Sequence, residues 1–185
     1  AAFYEASGGG VTLSGGEPML QSEFATSILR RCKAEGFHTA LDTCGQVPWR
    51  SFEQALPFVD LVLYDIKQIS PELHRRYTGA SNGLLIENLK GLAERGAAVE
   101  IRMVIIPTIN DAREHVEGAA ELLAPLGNVV GIRLLSYHRL AGSKYVKLGK
   151  ENTMPEEEPP TRERMLQVAQ WLGQHGLEVI YPQAG

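Results

Sequence analysis

With 185 residues, 44% of them apolar and 22% charged, the chain has the make-up of one globular domain long enough to bury a real core. A net charge of −4 without a basic stripe argues against nucleic acid as a partner, and no run of about 18 apolar residues is present to span a membrane. The only cysteines, Cys32 and Cys44, are too few for a disulfide scaffold and suit a reducing cytoplasm; by themselves they cannot ligate zinc or an iron–sulfur cluster.

Residues 1–7 read as the tail of a helix ended by Ser7 and three glycines, so the chain opens like a piece of something longer. Residues 11–13 form a first strand that breaks into Ser14-Gly15-Gly16-Glu17-Pro18. These glycines either let a ligand approach the backbone closely or pack a tight strand-to-helix turn. Pro18 suits the first position of a helical pattern beginning at Met19. Glu17 is left near the strand's C-terminal edge, where open α/β sheets and barrels build their sites. Apolar Phe24, Ile28 and Leu29 then give residues 22–35 a helical spacing, with Gly36 as its stop.

Residues 37–43 make a second strand, running into Asp42-Thr43-Cys44-Gly45, and 48–58 a short helix. The third strand, 59–67, ends in Asp65 and Lys67. Ser70-Pro71-Glu72 is a helix start, with helix over 73–77 and a further helix over 82–95. The fourth strand, 98–106, is closed by Pro107, and Asn110-Asp111 is expected to cap a helix reaching about Leu126. A fifth strand, 129–137, leads into His138 and a loop over 139–149. Residues 151–160 are acidic and proline-rich and read as loop. A helix over 161–175 and a short strand over 178–181 complete the chain.

Strand and helix alternate throughout, and the strands are nearly continuous apolar runs, the pattern of a parallel sheet covered by helices. Right-handed crossovers bring every strand's C-terminal end to one face. That face collects Gly15, Gly16 and Glu17, then Asp42 and Thr43, then Asp65 and Lys67, and finally Tyr137 and His138. Arg102 stands inside the fourth strand between Ile101 and Met103 and needs a partner or a wet interior. Each residue also has a plainer reading: Asp42 as a cap, Asp65 and Lys67 as a surface ion pair, His138 as a loop histidine, Arg102 as a balance for a carboxylate, and the cysteines as ordinary thiols. Their common edge favours a polar, charge-balanced pocket.

Five ordered segments, SGGGVTLSGGEPMLQ, GFHTALDTCG, VDLVLYDIK, EIRMVIIPTIND and GIRLLSYHRLAGSKYVKLG, resemble the glycyl-radical-enzyme activating enzymes of the radical S-adenosylmethionine superfamily. The resemblance runs nearly end to end. It implies a partial parallel (β/α)6 TIM-like barrel missing its first strand, with residues 1–185 forming one truncated core domain. It places Gly15, Gly16, Glu17 and Pro18 at the amino group of the cofactor's methionine moiety. Asp42, Thr43, Asp65 and Lys67 would line the cofactor and substrate pocket, Arg102 the same cavity, and His138 the nucleoside end. Asp42, Asp65, Lys67 and Arg102 are thereby the catalytic candidates, and Asp42, Thr43 and Asp65 also match positions that can hold a monovalent cation.

In the family a reduced [4Fe-4S] cluster, fed by flavodoxin or ferredoxin, gives one electron to the sulfonium. The 5′-deoxyadenosyl radical released takes hydrogen from a glycine of a partner glycyl radical enzyme, such as pyruvate formate-lyase. The cofactors carry that chemistry, and the protein supplies position and exclusion of water. The family's C-x3-C-x2-C cluster motif is absent from these 185 residues. The full-length parent is therefore expected to hold the cluster, and this fragment to be inactive. Two further expectations compete: a non-catalytic domain that binds S-adenosylmethionine or docks a partner, and an unrelated α/β-barrel lyase using Lys67 as a Schiff base.

Overall fold

The computed structural model describes residues 9–138 and 158–181. Readings of residues 1–7, of the loop over 139–149 and of most of the acidic stretch fall outside them. Six strands, β1 (Gly10–Leu13), β2 (His38–Thr43), β3 (Leu61–Asp65), β4 (Val99–Ile105), β5 (Val129–Ser136) and β6 (Val179–Ile180), lie side by side in chain order. Every neighbouring pair is parallel. The sheet is open, with β1 and β6 at its margins, as a partial (β/α)6 barrel requires.

The connections are helical. A 3-10 turn (Pro18–Gln21) leads into α1 (Ser22–Ala34), followed by α2 (Trp49–Ala55), α3 (Pro71–Thr78), α4 (Gly83–Glu94), α5 (Arg113–Leu123) and α6 (Arg162–Gly173). Alternation along the strands decides what each face carries. Leu41, Val62, Tyr64, Val99, Ile101, Met103, Ile105, Ile132 and Leu134 are buried in one core with Leu29, Phe52, Leu89, Leu92, Leu123, Val168 and Leu172 of the helices. The alternate positions, Asp42, Asp65, Glu100, Arg102 and Arg133, make the other face polar. The strands are thus nearly continuous apolar runs into whose inner face a few charges are set, beside Ala40, Leu61, Leu63 and Leu135.

Several boundaries differ from expectation. The helix expected over 48–58 stops at Ala55, and Pro57 sits in a separate 3-10 turn, Leu56–Phe58, because proline has no N–H to continue an α-helical ladder. Asn110 and Asp111 do not cap α5, whose N-cap is Ala112. Asn110 instead ties three segments: its Oδ1 accepts from the Ile106 N–H at 2.7 Å, and its amide donates to the Lys67 carbonyl at 3.1 Å and the Val104 carbonyl at 2.8 Å. Asp111 accepts from the Thr108 N–H at 2.9 Å and from Arg164 Nε at 2.7 Å. The third strand ends at Asp65, leaving Lys67 just beyond it. Ser70 and Thr161 do cap α3 and α6, accepting from the N–H groups of Leu73 and Arg164.

Candidate functional site

The turn after β1 is fixed by Glu17. Its Oε1 accepts from the Met19 N–H at 3.1 Å and caps the Pro18–Gln21 turn. Its Oε2 accepts from Thr43 Oγ1 at 2.8 Å, the Cys44 N–H at 2.9 Å and the Cys44 thiol at 3.2 Å. One carboxylate therefore clips the end of β1 to the end of β2. Burial, with Glu17 alongside, pushes the Cys44 thiol pKa up, so this cysteine is held as a thiol. The glycines before Glu17 are exposed, and a Cβ built on Gly15 or Gly16 meets nothing within 4 Å. Open space over both decides against a packed-turn role and leaves this backbone edge accessible.

Arg102 projects from β4 between two acids. Its Nε donates to Asp65 Oδ1 at 2.9 Å, and its Nη2 contacts Asp65 Oδ1 at 2.7 Å and Asp42 Oδ1 more closely still. Asp42 also accepts from Ser14 Oγ at 2.8 Å, and Lys67 Nζ stands 3.4 Å from Asp65 Oδ2. Both carboxylates raise the pKa of the guanidinium against the opposing effect of burial, Asp65 the more strongly. The balancing role considered for Arg102 is thus satisfied twice over, by strand-end acids of β2 and β3. Asp65 and Lys67 do form an ion pair, but Arg102 shares the Asp65 carboxylate.

Beside this cluster lies a cavity of about 300 Å³, lined by Asp65, Lys67, Arg102 and His138 on its polar side. Ile66, Val104, Ile106, Ile109, Tyr77 and Tyr137 supply its apolar wall. The exposed His138 stands two residues past the end of β5, so Arg102 from within β4 shares one space with Asp65, Lys67 and His138 from the ends of β3 and β5. Asp42 reaches it through Arg102. Glu17, Gly15, Gly16, Pro18 and Thr43 form the neighbouring β1–β2 rim rather than this cavity. Thr43 belongs to the helix-facing side of β2; it is buried, and its hydroxyl donates to Glu17 and accepts from the Gly45 N–H at 3.0 Å. A monovalent cation at Asp42, Thr43 and Asp65 would thus share both carboxylates with Arg102 and would not find the Thr43 hydroxyl free.

Sequence reading passed over two residues on the same inner face. Glu100, two positions before Arg102, is engaged by both arms of Arg133 on β5, at 2.6 and 2.9 Å. The signal was available: a charged side chain amid apolar neighbours within a strand, the argument already applied to Arg102.

The superfamily model for radical S-adenosylmethionine proteins matches residues 2–123. The chain belongs to the radical SAM superfamily. It is 40% identical over 181 residues to pyruvate formate-lyase 1-activating enzyme of Escherichia coli K12, covering 97% of this chain and 74% of that protein. It is 37% identical over 183 residues to (2S)-3-sulfopropanediol dehydratase activating enzyme of Klebsiella oxytoca, covering 96% of this chain and 58% of that one. The chain thus spans about three-fifths to three-quarters of these relatives. A solved domain of pyruvate-formate lyase-activating enzyme from Bacteroides vulgatus superposes with a TM-score of 0.81 at 29% identity, covering 95% of this chain and 99% of that one.

Membership of this superfamily implies S-adenosylmethionine and a [4Fe-4S] cluster as cofactors. The two halves of that requirement meet this radical SAM chain differently. Cys32 on α1 and Cys44 after β2 are free, and the described residues contain no group of three or more His, Cys, Asp or Glu side chains able to hold a metal ion. The residues described do not fit the cluster. They do fit a sulfonium amino acid: a carboxylate acceptor, a lysine donor and an apolar wall line one cavity, and an open glycine edge lies on the neighbouring β1–β2 rim. No helix among the described residues is long and apolar enough to cross a membrane.

Proposed function

We propose that this chain is the cofactor- and substrate-holding part of a glycyl-radical-enzyme activating enzyme, located in the cytoplasm, whose partner is a glycyl radical enzyme such as pyruvate formate-lyase or a dehydratase. The observation that carries the reading is the single cavity in which Asp65, Lys67, Arg102 and His138 meet beside an apolar wall. Bound S-adenosylmethionine supplies a sulfonium whose reductive cleavage yields the 5′-deoxyadenosyl radical. The chain's own residues bind and orient. The bare backbone at Gly15 and Gly16 admits the methionine end, and Lys67 Nζ presents its protons to a carboxylate. His138 stands at the mouth for the nucleoside end. Asp42 and Asp65, held by Arg102, offer carboxylate oxygens as acceptors to the ligand's ammonium. Ile66, Val104, Ile106 and Ile109 exclude water. With only two cysteines in 185 residues, no electron-transfer step is assigned to this chain, and flavodoxin or ferredoxin would serve the longer protein.

Calorimetry with S-adenosylmethionine, with and without potassium, tests the binding half of this reading. Weak binding that Lys67→Met or Asp65→Asn lowers about tenfold, the size of one lost charge-assisted contact, is the expected result. Absence of any heat at millimolar ligand refutes it. Anaerobic incubation of the chain with dithionite and S-adenosylmethionine is expected to release no 5′-deoxyadenosine; release would overturn the division of labour.

A further inference from the structure

The charged inner face holds a second ion pair directly beside the Arg102 cluster. β4 and β5 run in register with Arg102 opposite Arg133 and Glu100 opposite Gly131. Neighbours across a parallel ladder point to the same face, so two guanidiniums project side by side from adjacent strands. The same space, a cavity of about 390 Å³, is lined by Glu100, Arg102, Arg133 and His38. Left alone, Arg133 would repel Arg102 and draw on other carboxylates of this face, among them Asp65, the β3 register partner of Arg102. Competition does not arise because Glu100 takes both arms of Arg133. Its two oxygens accept from Nε at 2.6 Å and Nη2 at 2.9 Å, a bidentate pairing along one edge of the guanidinium. Glu100 itself is buried, its side chain 11% exposed, whereas that of Arg133 is 40% exposed. An unpaired carboxylate there would be forced to find another cation, and the nearest in the ladder is Arg102.

We propose that Glu100 and Arg133 are a positioning pair for the site: each neutralises the other, so that Arg102 stays divided between Asp42 and Asp65 alone. Neither residue lines the cavity of Asp65, Lys67 and His138, and the pair acts on it through the neighbouring Arg102 guanidinium. This deepens the reading of the Arg102 cluster as part of a binding site. It has a ligand-free readout, so its failure and that of the functional reading are told apart.

The readout is the Arg102 side-chain Nε–Hε signal in the NMR spectrum of the full 185-residue chain, assigned by its loss in Arg102→Met. Glu100→Gln frees Arg133 to approach Asp65, and Arg133→Leu frees Glu100 to approach Arg102. Each single change is expected to move the Arg102 signal and to speed its exchange with solvent about tenfold, the scale of coupling between members of one ion-pair network. The double change Glu100→Leu with Arg133→Leu removes both charges and is expected to return signal and exchange rate close to those of the unaltered chain. A merely structural role predicts the opposite order, with the double variant the most disturbed. An unmoved Arg102 signal in both singles, or a double variant at least as perturbed as their sum, overturns the proposal. If Arg133→Leu fails to fold, Arg133→Gln in its place carries the same comparison.

Discussion

His115 offers a sharp test of the packing that holds the two last helices on the sheet. It sits in the first turn of α5, and its Nε2 is buried with no hydrogen-bond partner. Burial disfavours the imidazolium and lowers its pKa from 6.5 to about 4, against a partial upward pull from Asp111. Asp111 is itself committed to Arg164 of α6, so its pull on the ring is too small to offset burial. The folded pKa is depressed, so the contribution is fully present above pH 6.5. Between 6.5 and 4 the unfolded chain binds a proton that the folded chain refuses, and stability falls as pH drops. The full gap corresponds to about 3 kcal/mol, of which about 2 kcal/mol is lost by pH 5. Solvent reaches part of the ring, so a measured loss of about 1–2 kcal/mol is expected. Urea denaturation of the chain and of His115→Gln, each at about pH 7.5 and about pH 5, isolates it, because other titrations contribute equally to both proteins. The unaltered chain should lose that much more stability than the variant. Parallel losses would refute the argument.

Other outcomes follow from the site. Gly45 combines a positive φ of 71° with a Cβ position 1.7 Å from Tyr64 Oη; Gly45→Ala should cost about 3 kcal/mol or abolish folding, read by thermal melting. Glu17→Gln keeps the shape but loses the charge that accepts from Thr43, Cys44 and Met19, and should cost about 1–3 kcal/mol in a denaturant titration; an unchanged midpoint would deny the clip between β1 and β2. Borohydride treatment with pyruvate should leave Lys67 unmodified, whereas a trapped adduct would favour the lyase alternative.

What was legible in the sequence was whatever a local pattern enforces. Val-Thr-Leu before a pair of glycines marks a strand breaking into a turn, and Ser70-Pro71 and Thr161 mark helix starts, because caps and proline act within four residues. Where patterns compete locally the reading slipped. Asn110 and Asp111 have the right chemistry for a cap, yet their side chains satisfy backbone groups of Ile106, Val104, Lys67 and Thr108 instead. Those partners lie partly on other segments, and no local rule weighs them.

The alternation of strand and helix determined by itself that Asp42, Asp65, Lys67 and His138 would gather at one margin, because parallel strands joined by right-handed crossovers leave no other arrangement. It did not determine which partner each charge would take. Only tertiary structure set Arg102 between Asp42 and Asp65, turned the Thr43 hydroxyl to Glu17, and locked Glu100 to Arg133. Those choices depend on strand register, which a shift of one residue would invert from face to face, and register is fixed by the packed sheet as a whole.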